Sequence, residues 1–154
     1  MACILPPPIV VEATVAVRPG VPPRFHAHGA SAAFVNSRGD LHFECFHHPI
    51  VVAFRIETPH VQFQGDGNES LSFADNAAKE RPMILPPRHH QFPIGVQHLG
   101  PQRIWFVYNN DWDCGVGDNQ PRCRTSAYGL NLVSTRHRVS HADPIIGNGG
   151  HSAY

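Results

Sequence analysis

Apolar residues in this chain recur at every second position, not every third or fourth. Ile9, Val11, Ala13, Val15 and Val17 are interleaved with Glu12, Thr14 and Arg18, the period of a half-buried strand. The clearest run follows at Ile50, Val52, Phe54 and Ile56, alternating with Val51, Ala53, Arg55 and Glu57. Pro59 closes it, and residues 61–64 resume it after a bend. Ile104, Phe106 and Tyr108 alternate with Trp105 and Val107, and Tyr128, Leu130 and Leu132 form the last clear strand. Shorter apolar stretches at residues 71–73, 83–85 and 145–146 predict brief strands. The Ser37-Arg38-Gly39-Asp40 segment reads as a hairpin turn between residues 32–36 and 41–46, with Gly39 free to take a positive φ. Residues 19–29 and 65–70 read as loop and turn, and residues 74–81 have room for one helical turn before Pro82 ends it.

No ten-residue stretch carries a helical period. Seven to nine short strands separated by turns predict an all-β protein, an antiparallel β-sandwich, with a cupin-type β-barrel as the alternative. A length of 154 residues is the size of one domain. We therefore read residues 1–154 as a single sandwich with a proline-rich segment at 1–8 and a glycine-rich tail at 147–154. The 13 glycines and 15 prolines fit that punctuated architecture and oppose long helices.

Charge narrows the function classes. Twelve basic residues balance 12 acidic ones, and charged residues make up only 16% of the chain. Such a balance argues against a nucleic-acid partner and against a charge-driven membrane binder. No run of 18 apolar residues exists to insert into a bilayer. The first residues, Met1 to Pro8, lack the charged start and apolar stretch of a secretory signal, so a cytoplasmic location is expected. Four cysteines are too few for a disulfide scaffold, and no CxxC is present. Cys114 and Cys123 are the plausible disulfide pair. They bracket a Gly-rich turn inside the polar loop 109–124, and pairing of the strands on either side would bring them together.

Two resemblances bear on the fold. From Pro49 onward the chain resembles a group of small, uncharacterised bacterial β-sandwich proteins. The matching residues are Val52-Ala53-Phe54-Arg55-Ile56, Thr58-Pro59-His60-Val61-Gln62-Phe63, Tyr128-Gly129-Leu130-Asn131-Leu132 and the terminal Asp143-Pro144-Ile145-Ile146-Gly147-Asn148-Gly149-Gly150. This resemblance implies an immunoglobulin- or cupredoxin-like sandwich and no particular activity. A second resemblance is to cupins. Gly20 followed by His26-Ala27-His28 is similar to the opening of the first cupin motif, and Pro93-Ile94-Gly95-Val96-Gln97-His98 to part of the second. It departs from the cupin pattern where a glutamate is expected, since Ala32 and Ala33 stand there.

Twelve histidines supply the remaining candidate chemistry. Two imidazoles in an H-x-H step share one face of a strand, so His26 and His28 with His98 across a barrel would hold one transition-metal ion. The plainer account of the same residues is solvated loop histidines beside prolines. No G-x-S-x-G elbow, phosphate loop or paired carboxylates accompany them. The sequence therefore favours a non-enzymatic module without a cofactor, acting by binding another protein or by assembling with itself. A metal-binding protein or metal-dependent enzyme built on the histidines is the second expectation.

Overall fold

The computed structural model describes residues 9–43, 49–74, 81–84, 91–109, 126–139 and 144–147. The first half of the chain contributes β1 (Ile9–Ala16), β2 (Arg24–His26), β3 (Leu41–His42), β4 (Pro49–Ile56), β5 (Val61–Phe63) and β6 (Leu71–Ala74). The second contributes β7 (Met83–Ile84), β8 (Gln97–His98), β9 (Arg103–Asn109), β10 (Ser126–Leu130), β11 (Leu132–Ser134) and β12 (Ile145–Gly147). One five-stranded sheet has the order β2-β1-β4-β9-β8 and a second the order β3-β12-β10-β6-β7, while β5 and β11 pair separately.

Alternation explains which side of each strand is inside. The first sheet turns Val11, Val15, Val52, Phe54, Phe106 and Tyr108 toward the second, which answers with Leu41, Leu71, Phe73, Tyr128 and Ile146. All belong to one continuous core. Phe54 stacks on Tyr128 at 6.1 Å between ring centroids, and Phe92 stands edge-on to Phe73 at 4.8 Å. Each such side chain contributes about 1.5–3 kcal/mol through the apolar surface it removes from water. Ile146 is fully inside, so the terminal apolar pair does enter the sandwich.

The all-β sandwich expected from the sequence is the observed architecture, and several details differ. Neither five-stranded sheet closes on itself, so the cupin-type barrel is set aside: each ends in short edge strands that do not pair with one another. The sheets are mixed, because β1 runs parallel to β4 and β3 parallel to β12. Among the described residues the strands number twelve, because short ladders arise inside stretches that read as loop, among them β2 within residues 19–29. The expected pairing of the strands around Trp105 and Tyr128 does not occur. Both edges of β9 are taken by β4 and β8, and both edges of β10 by β6 and β12. Asn131 marks where the last clear strand divides. Its side-chain amide donates to the Glu69 carbonyl at 2.7 Å and its backbone N–H to Ser70, which turns the chain from β10 into β11. The helical turn expected at residues 74–81 and the Cys114–Cys123 pair fall largely or wholly outside the described residues.

One turn joins these layers. Asn36 Oδ1 accepts from the Arg38 and Asp40 N–H groups, both at 3.0 Å. Gly39 takes φ +89°, and a Cβ there would also sit 2.5 Å from the Phe25 ring, so both the backbone and the packing call for glycine. Its carbonyl accepts the Tyr128 hydroxyl from β10. Asp40, 5% exposed, accepts from the Asn36 amide at 2.9 Å, from Arg38 at 2.8 Å, and from the Ile145 N–H at 3.0 Å.

Two outcomes follow. Gly39→Ala adds strain from the positive φ and a clash with Phe25, together about 2–4 kcal/mol, so thermal denaturation should show a melting temperature roughly 5–15 °C lower. The Asp40 carboxyl is held below its usual value: burial pushes it up, but Asn36, the Ile145 N–H and Arg38 outweigh that effect. An unfolded aspartate titrates near pH ~3.9, so the unfolded chain binds more protons in acid. The stabilisation from Asp40 is therefore complete above about pH 4 and drains away as the pH falls through the depressed value. Urea unfolding across pH 2–7 should show Asp40→Asn less stable at neutrality and flatter in acid.

Candidate functional site

The outer face of the first sheet carries what the inward alternation leaves over. The ladders align its outward residues in rows. Thr14 lies beside Arg55 and Arg55 beside Arg103, with His26 on the far side of Thr14. The next row runs Glu12, Ala53, Trp105, Gln97, and beyond it Val10, Val51 and Val107 stand together. The face thus grades from aliphatic at one end to cationic at the other.

A groove of about 440 Å³ lies over the cationic end. Ala53 helps form it, its methyl leaving space between longer neighbours, and Glu12, Thr14, His26, His28, Arg55 and Arg103 line it. The backbone holds these groups in place. Where β2 no longer covers the edge of β1, the Glu12 N–H donates instead to Ser31 Oγ at 3.0 Å, which draws the Gly29–Ala33 3-10 turn onto the strand. Thr14 Oγ1 donates to the His26 carbonyl at 3.2 Å. The rings of His26 and His28 meet edge to face at 4.2 Å between centroids.

Arg55 and Arg103 are direct cross-strand partners. Like charges in that position repel. Arg38–Asp40 is the ion pair formed among the described residues, so no described carboxylate forms an ion pair with the two guanidiniums in the groove. Glu12 shares the groove without forming an ion pair with either. The groove therefore presents planar N–H donors suited to a carboxylate or similar oxyanion.

The metal set His26, His28 and His98 does not assemble. His26 and His98 lie on β2 and β8, the two outermost strands, and four ladder spacings separate these by about 19 Å. They also point to opposite faces: His26 is paired with outward Thr14, His98 with inward Ile104. His98 has its own partners. Ser70 Oγ donates to the Gln64 carbonyl at 2.7 Å and so accepts the His98 Nε2–H at 2.8 Å, while the imidazole stands edge-on to Phe63. Among the described residues no three His, Cys, Asp or Glu side chains converge on one point. Sequence reading missed Arg55 and Arg103. Arg55 was visible as a polar interruption of a strong strand and Arg103 as the residue that leads into one, but only the register places them side by side.

No protein-family model, no curated protein and no solved structure matches the chain. No helix among the described residues is long and apolar enough to cross a membrane.

Removing one of the opposed cations should help the fold while harming the groove. Arg103→Gln is expected to raise stability by about 0.2–1 kcal/mol at low ionic strength, a gain that shrinks as salt screens the pair. Urea midpoints at low and high salt measure it, and a variant less stable than wild type at low salt would contradict the repulsion.

Proposed function

We propose that the protein is a non-enzymatic β-sandwich module that binds a protein surface, its own or another's, through the outer face of its first sheet. The observation carrying this reading is the pair Arg55 and Arg103, directly opposed and without a carboxylate partner among the described residues. An acidic segment laid across the groove would relieve their repulsion and take bidentate hydrogen bonds from both. Exposed Val10 and Leu99 supply apolar surface on or beside that face. Glu12 makes the face self-complementary: in a two-fold contact, Glu12 of each copy meets the arginines of the other.

Such a contact is electrostatic in its selection, so salt weakens it. Light scattering over a concentration series, with and without a poly-glutamate peptide, tests the reading. Wild type should self-associate or bind the peptide, more weakly at high salt. Arg55→Glu with Arg103→Glu should lose at least tenfold in affinity. A wild-type protein that stays monomeric and ignores the peptide would refute the proposal.

A further inference from the structure

Away from the groove, two turns bring a second pair of histidines together. His60 lies in the turn between β4 and β5, and His137 in the turn after β11. The Thr135 N–H donates to the His60 carbonyl at 3.2 Å, tying the turns to each other. Ser134 Oγ accepts the Arg136 N–H at 3.1 Å and the His137 N–H at 3.3 Å, which fixes the second turn internally. The two Nε2 atoms stand 3.0 Å apart, with the rings inclined at 80°.

The tautomer follows from the other ring nitrogen. His137 Nδ1 is 3.1 Å from the Arg138 carbonyl, an oxygen that can only accept, so in the neutral ring Nδ1 carries the proton. His137 Nε2 is then a lone pair aimed at His60. A metal-binding histidine is set up in the same way, its second nitrogen donating to a backbone carbonyl while the first faces the ion.

We propose that His60 and His137 form a binding site for a divalent cation of the zinc, copper or nickel type, with both Nε2 atoms as ligands and water or a small anion in the remaining positions. Neutral imidazole suits these ions. Two nitrogens bound to one tetrahedral zinc at 2.0–2.1 Å lie about 3.3 Å apart, so the observed pair would open by a few tenths of an ångström while each ring tilts to aim its Nε2 at the shared ion. In the metal-free pair His60 Nε2–H donates to His137. On binding, that proton leaves Nε2 and His60 Nδ1 takes one from solvent, so the ring stays neutral and no net charge is lost. The His60–His137 site stands apart from the groove and shares none of its residues.

Zinc titration of metal-free protein by calorimetry, with wild type, His60→Gln and His137→Gln, tests it. Twelve histidines give a background, so the decisive quantity is the difference between wild type and variant. Wild type should take up one equivalent that either substitution weakens at least tenfold, with metal-free melting temperatures showing that the variants fold. Histidine side-chain NMR of wild type gives a second readout: zinc should shift Nε2 of His60 and His137 together. Isotherms unchanged by either substitution, or zinc shifts confined to other histidines, would overturn the assignment.

Discussion

The five residues from Asn36 to Asp40 hold apart and in register three pieces of chain that would otherwise have no fixed relation. Phe25 on β2 packs against the bare α-carbon of Gly39, Tyr128 on β10 donates to the Gly39 carbonyl, and the start of β12 hangs from the Asp40 carboxylate. The first contact belongs to one sheet and the other two belong to the opposite one. A turn that satisfied its own backbone in another way would leave a buried carbonyl, a buried phenol and a buried carboxylate short of partners, each costly in a low-dielectric interior. The turn is therefore as much a part of the core as the rings around it.

The groove depends on the same core at one remove. Arg55 points outward because Phe54 and Ile56 point inward, and Arg103 does so because Ile104 is its inward neighbour. A one-residue slip of either strand would bury a guanidinium and expose an aromatic or aliphatic side chain, so the packing of Phe54 on Tyr128 and of Phe106 on Phe92 enforces the arrangement outside. Repulsion between the two arginines is tolerated because the inner face supplies far more free energy than the outer face loses.

Strands with strong alternation were legible in the sequence. The runs around Val11, Val52 and Phe106 each became the strand that their period predicts, since burial on one face is a local property of the pattern. Partner choice was not legible, because it depends on which apolar faces fit together. β9 pairs with β4 from far back in the chain, and β10 joins another sheet. The candidate site divides along the same line. His26 and His28 come together because they are neighbours in sequence. His98 was read by its spacing alone, and neither the face nor the edge it occupies is written in that spacing. The pairing of His60 with His137 joins turns from opposite halves of the chain, beyond the reach of any motif.

The parallel ladder between β1 and β4 has a consequence for how the molecule forms. Parallel neighbours cannot be joined by a tight hairpin, so Ile9 meets Ile50 only after the intervening chain has looped around. The antiparallel ladder on the other side of β4 is no more local, since it brings Pro49 to Asn109. The middle of the first sheet thus comes from segments whose encounter costs loop entropy before any contact rewards it. Topologies of this kind assemble slowly, and their rate is set by the meeting of distant strands. The Asn36–Asp40 turn, closed by bonds among its own five residues, is structure that can form ahead of that meeting and wait for it.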